Sequence, residues 1–191
     1  KAAAVGHLDH SVATGALGVH PELPYVPGVE AAGVILESDL FLAGSPVIVR
    51  GAGIGVVSDG TWAQRLSVND HAIMPIPDGM DFALAACFFV PATTAFVAVH
   101  DICSVTPESI VLVTGVRGAV GGLVAEMCVG LGARVLGMSR DTDSALPAYL
   151  DGVEVMDYEA LTRTQSIQLC DSLIDTVAGN GFSGRLAAIK P

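Results

Sequence analysis

Apolar residues change their spacing along the chain, and the change divides it in two. Up to about residue 80, short apolar stretches are punctuated by Gly-Ser, Gly-Ala-Gly and Ser-Asp-Gly turns. This pattern predicts strands over 30–37, 46–49 and 61–68. The last of these mixes Trp62, Ala63, Leu66 and Val68 with polar Gln64, Arg65 and Ser67. Residues 69–78 read as a loop that carries the stiff Pro75-Ile-Pro77 connector. Strands this short and this close predict a small barrel or sandwich rather than strand–helix–strand units.

The spacing turns helical near residue 80. Asp81 is placed to cap a helix through Ala83, Ala86 and Cys87, with Pro91 interrupting it, a helical continuation over 93–100 and a loop over 101–108. From Ser109 onward strands and helices alternate: strand 110–113, helix about 120–131, strand 134–138, helix about 143–150, strand 153–156 and strand 172–177. Gly130 and Gly132 mark the end of the first of these helices. The expected domains are therefore 1–85, β-rich, and 86–191, a doubly wound parallel sheet.

Composition narrows the partners. Of 191 residues, 51% are hydrophobic and 15% charged, which argues against disorder. No apolar run reads as free of interruption over the roughly 18 residues of a membrane span. The formal net charge of −11 argues against nucleic acid and anionic membrane as partners. It leaves room for a small anionic ligand, because local dipoles decide that. Cys87, Cys103, Cys128 and Cys170 form no CxxC pair and read as buried free thiols of a cytoplasmic protein. Both ends break the pattern, so the chain is expected to be a fragment.

Chemistry concentrates at 111–122, VLVTGVRGAVGG. Strand, glycine turn, helix and strand follow in the order that a dinucleotide-binding turn requires. Glycines at 115, 118 and 121 would let a pyrophosphate approach the backbone amides of a helix N-terminus. Without a ligand, the same three glycines would weaken a helix start for no return. The candidate cofactor residues here are Gly115, Val116, Arg117, Gly118, Ala119, Val120 and Gly121.

The two modules and the segment VLVTGVRGAVGGLVAEMCVGLGARVLGMSR resemble the medium-chain dehydrogenase/reductase superfamily. Supporting landmarks are Pro27-Gly28-Val29-Glu30-Ala31-Ala32-Gly33, the Pro75-Ile-Pro-Asp-Gly79 turn and Pro91-Ala92-Thr93-Thr94-Ala95. The resemblance implies an α/β chain with an N-terminal β-rich GroES-like barrel domain and a truncated Rossmann domain. Where the zinc enzymes of this superfamily place a histidine ligand the chain has Val29, and where they place a cysteine it reads VGHLD. It therefore resembles the zinc-free branch of quinone oxidoreductases and enoyl or acrylyl-coenzyme A reductases, with no metal expected. The turn RGAGIGVVSDGTWA at 50–63 is similar to the acrylyl-coenzyme A reductase group.

The resemblance implies hydride transfer between a nicotinamide cofactor and a small-molecule quinone or α,β-unsaturated carbonyl. Ser139 and Arg140, after the second strand of the Rossmann pattern, suit the 2′-phosphate of NADPH. Asp141, one residue on, leaves NADH open through the ribose 2′-hydroxyl. Tyr158 matches a tyrosine near the adenosine, Thr94 a threonine beside the nicotinamide and Asp9 an acidic catalytic position lining the cleft. His7 and His10 are further proton-donor candidates, and Thr176 ends a strand expected to face the cofactor. The alternatives are an NAD(P)-dependent alcohol or polyol dehydrogenase and an NADPH-binding sensor. Relatives pair Rossmann sheet edges as homodimers, which is the expectation for the full-length protein.

Overall fold

Val47, Ile48 and Val49 are all buried, and they show how the first half of the chain is built. A computed structural model describes residues 1–163 and 168–191. Its contacts divide the chain into Lys1–Val90 and Pro91–Pro191. In the first unit an antiparallel sheet runs in the order β1 (Ala2–Ala3), β2 (Glu30–Val34), β3 (Pro46–Arg50) and β4 (Ile73–Pro75). Val47 and Val49 turn one way, onto Ile35, Ile54 and Ala72. Ile48 turns the other way, onto Ala32 and onto Ala85 and Ala86 of helix α2 (Phe82–Phe96). Both faces of β3 are covered, so it reads as a continuous apolar run rather than an alternating one.

Three expectations need correction, and one helix was not anticipated. Residues 61–68 form no strand. Gly60, Thr61 and Trp62 donate their amides to Val26, Gly28 and Pro27 carbonyls, after which 63–67 are exposed and have no face to bury. β4 lies inside the expected 69–78 loop, because Ile73 and Met74 pair with Val49 and Ile48. The short helix α1 (His7–Ala13) had no strong sequence signal. Pro91 is carried inside α2, which runs on into a π-helical turn, Val97–Ile102, so the expected loop begins two residues late. The helix survives Pro91 because both flanks are anchored, Ala85 and Ala86 in the first unit and Ala95 and Val99 in the core of the second. Phe82–Ile102, 21 residues of mean hydropathy 2.1, is long and apolar enough to cross a membrane by length and composition, despite Pro91, His100 and Asp101.

The second unit is a parallel sheet in the order β7 (Val153–Met156), β6 (Arg134–Met138), β5 (Ile110–Thr114) and β8 (Ser172–Ile174). Alternation again fills both faces. Val111 and Val113 pack with Val124, Ala125 and Cys128 of helix α3 (Ala119–Gly130), whereas Leu112 packs with Leu136, Met138, Cys170 and Ala188. Gly132 ends α3 with φ +86, a conformation that glycine adopts without strain. Two short helices, α4 (Tyr158–Arg163) and α5 (Phe182–Leu186), complete the described elements.

Two expectations fail here as well. The helix expected over 143–150 is only a 3₁₀ turn, Ala148–Leu150. Pro147 disfavours helix before it, and the Asp141 carboxylate accepts the amides of Asp143 and Ser144 at 3.2 and 3.0 Å, making a local turn instead. The last strand stops at Ile174 rather than 177, because Asp175 leaves the sheet to bond side chains and its own downstream backbone. The cysteines are not uniformly buried either: Cys128 and Cys170 are, Cys103 is half-buried and Cys87 is exposed.

Candidate functional site

Strand register assembles the site. Thr114 pairs with Met138, Met138 with Met156, and Val113 with Ile174. The four parallel strands therefore end together, and the segments that leave them carry Gly115, Ser139 and Arg140, Tyr158, and Asp175 and Thr176. Four of the five regions expected to hold the cofactor in this unit thus meet at one sheet end, where ligands of open α/β sheets bind.

The glycine turn at its centre is tightly made. Gly115 has φ +63, and a Cβ there would lie 2.7 Å from the Thr176 hydroxyl. Gly118 is the N-cap of α3 and supplies no side chain, so the first amides of the helix lack an intrahelical acceptor and, among the described residues, a side-chain cap. A Cβ on Gly121 would run into the Gly115 carbonyl oxygen, which shows how closely α3 approaches the end of β5. Val116 is fully buried and donates its amide to Met138 at 3.3 Å, fastening the turn to β6. Ala119 is exposed and Val120 half-buried at the helix start. An uncapped N-terminus with room for backbone approach suits a phosphate.

Beneath the turn lies a network that the sequence did not reveal. The Asp175 and Arg185 side chains are 6% and 8% exposed and form an ion pair at 2.7 Å. The other Asp175 oxygen accepts the Thr114 hydroxyl at 2.6 Å and the Val177 and Ala178 amides at 2.9 and 3.0 Å. Burial pushes the Asp175 carboxyl up, but these donors and Arg185 outweigh it and hold it at about 2. Thr114 also accepts the Thr176 amide at 2.9 Å, and the Thr176 hydroxyl donates to the Thr114 carbonyl at 2.7 Å. The only sequence signal for Arg185 was a lone cation in an otherwise apolar segment, RLAAI.

The remaining expected residues fall in different surroundings. The Tyr158 hydroxyl accepts the Gly115 amide at 3.1 Å, which ties it to the turn itself. Ser139 is buried and its hydroxyl accepts the Asp141 amide at 3.1 Å, while Arg140 beside it is exposed. Thr94 is exposed on α2, next to Ala95 in the core of the second unit. Asp9 belongs to the first unit. Its carboxylate is 2% exposed and accepts the Gly6 amide at 2.7 Å and the Val29 amide at 2.9 Å. Both oxygens hold backbone, so Asp9 brackets the Gly6 and Val29 amides. Glu30, also buried, accepts the Val90 amide at 3.0 Å, and burial raises its pKa. His7 and His10 are exposed on α1. Among the described residues, no group of three or more His, Cys, Asp or Glu side chains is placed to hold a metal. Burial, with Cys103 nearby, pushes the Cys128 thiol up to about 11, which leaves it inert.

Known proteins resemble this chain in sequence and fold. No family model matches the chain. Human quinone oxidoreductase is 30% identical over 201 residues, covering 99% of this chain and 59% of that protein. Acrylyl-CoA reductase AcuI of Ruegeria pomeroyi is 29% identical over 133 residues, covering 67% of this chain and 40% of the reductase. Among solved structures, the quinone oxidoreductase of Thermus thermophilus, described also in complex with NADPH, has 27% identity and a TM-score of 0.80. That match covers 99% of this chain and 60% of the Thermus chain. The chain thus spans between 40% and 60% of the length of each of these proteins.

Proposed function

This chain belongs to the medium-chain dehydrogenase/reductase superfamily, and from that membership we propose that the intact protein is a zinc-independent, NADPH-dependent oxidoreductase acting on a quinone or an α,β-unsaturated carbonyl. The observation that carries this reading is the shared sheet end, where an uncapped helix N-terminus stands beside the strand end that bears Arg140. In this reading the amides at the start of α3 hold the pyrophosphate, and Gly115, Gly118 and Gly121 keep side chains out of its way. Tyr158 and Thr176 shape the floor next to Gly115. Thr94 is the candidate neighbour of the nicotinamide. The partner is a small molecule.

Arg140 has no hydrogen bond or ion pair among the described residues, and it is the group we assign to the 2′-phosphate. The Asp141 carboxylate accepts two backbone amides, and this favours NADPH over the NADH reading, which needs a carboxylate turned to the ribose. When bound, the cofactor supplies a hydride that adds to the β-carbon or quinone, while the substrate takes up a proton. The chain's own part is to bind, orient and exclude water.

The test is NADPH oxidation by the intact protein with a quinone and, separately, with an enone. Turnover with either is expected. Tight NADPH binding with no turnover on both would replace this reading with that of a sensor, and NAD-dependent oxidation of simple alcohols with that of an alcohol dehydrogenase. A second measurement addresses the cofactor. Arg140→Ala should weaken NADPH by about ten- to a hundredfold, the scale of one charge-assisted contact, and leave NADH unchanged in direct titrations. Equal losses for both cofactors would remove Arg140 from the phosphate.

A further inference from the structure

Arg117 stands inside a glycine turn, and its guanidinium reaches across to the loop that follows β6. Nε donates to the Asp141 carbonyl at 3.1 Å, Nη1 to the Ala145 carbonyl at 3.2 Å and Nη2 to the Ser144 carbonyl. Three carbonyls of a single loop meet one planar fork. That loop has no helix of its own to take up those carbonyls, because 143–147 is not helical. Its other ties are local: Asp141 to the Asp143 and Ser144 amides, and Ser139 to the Asp141 amide. The base of Arg117 is rigid, since buried Val116 precedes it and packs against Gly137, where a Cβ would lie 3.0 Å from a Val116 methyl. Arg140 lies within the segment held in this way and is exposed.

We propose that Arg117 is a positioning residue for cofactor selectivity, which fixes loop 139–145 in the shape that offers the Arg140 guanidinium outward and keeps the Asp141 carboxylate turned to its own backbone. The inference rests on the NADPH reading above. It differs from a direct phosphate contact in what it requires, which is the guanidinium fork rather than positive charge alone. A lysine would keep the charge and lose the three-carbonyl geometry.

The experiment uses the intact protein, with Arg117→Ala, Arg117→Lys and Arg140→Ala. Two quantities are measured: the ratio of NADPH to NADH dissociation constants, and amide hydrogen exchange over 141–145 without cofactor. Both Arg117 variants should reduce the preference for NADPH by about fivefold or more, the scale of one lost hydrogen bond. Both should also speed exchange at Asp143 and Ser144. Arg140→Ala should reduce the preference while leaving exchange unchanged. Full NADPH affinity in Arg117→Lys would overturn the positioning role in favour of a charge contact. Unchanged exchange in Arg117→Ala would overturn it outright. Failure of the cofactor reading is separately visible: wild-type protein would bind NADH as tightly as NADPH and ignore 2′,5′-ADP. That result overturns the selectivity role, even where exchange shows the loop to be held.

Discussion

Gly121→Ala should lower the melting temperature of the protein, although the same change within a helix ordinarily stabilises by about 0.5–1 kcal/mol. The added Cβ would overlap the Gly115 carbonyl oxygen and would meet the Gly115 carbonyl carbon at 2.8 Å and the Thr114 carbonyl oxygen at 3.0 Å. All three atoms are backbone, so no rotamer relieves the clash, and α3 must move off β5. Overpacking of this kind costs about 1–3 kcal/mol, and the upper end applies where neither side yields. For a unit of this size that is a fall of roughly 10 °C or more by calorimetry or circular dichroism. Gly118→Ala is the internal control. Its Cβ meets only one atom, at 3.1 Å, and the change should cost far less. A Gly121→Ala protein that melts at or above wild type would show that the helix does not approach the strand this closely.

Asp175→Asn should be comparably damaging, for an electrostatic reason. One carboxylate oxygen holds the buried Arg185 and the other takes three donors. An asparagine offers one acceptor and two unwanted donors. Removing one partner of a buried pair costs about 3–5 kcal/mol, because the remaining charge stays desolvated. Arg185→Met should cost less, since Asp175 would keep its Thr114, Val177 and Ala178 partners, while in Asp175→Asn the Arg185 charge is left with the Ala178 carbonyl and the face of the Tyr158 ring. Acid gives an independent reading. The folded pKa of Asp175, about 2, lies below its ordinary 3.8. The stability it contributes is therefore complete above about pH 4 and lost as pH falls toward 2. Denaturant melts of the wild type should show that loss, and melts of Asp175→Asn should show less of it. Equal acid slopes in both proteins would mean that the ion pair is not made in solution.

The two variants differ in what the sequence had to say about them. The three glycines stood out because a strand and a helix flank them, and local propensity together with backbone approach accounts for the turn. Asp175 was visible only as a strand end, and Arg185 not at all as its partner, because ten residues and a turn separate them. Pairings of that kind depend on where a loop lands. The same reasoning explains Asp9. A carboxylate near the start of the chain gave no local sign that it would accept the Gly6 and Val29 amides, the second of them twenty residues away.

Hydrophobic spacing by itself pointed to a change of architecture along the chain, to the parallel strands 110–113, 134–138 and 153–156 and to the helix after the glycine turn, while the family likeness rested on the glycine motif and the landmark residues. Burying apolar side chains on both faces of a sheet leaves a periodic record that needs no knowledge of the partner elements. Tertiary structure alone decided where 61–68 and 143–150 lose their expected form, that Pro91 stays inside a helix, and that Arg117 spans a loop. Each of those outcomes depends on which backbone groups find a partner across space, and that competition is not written in any local window.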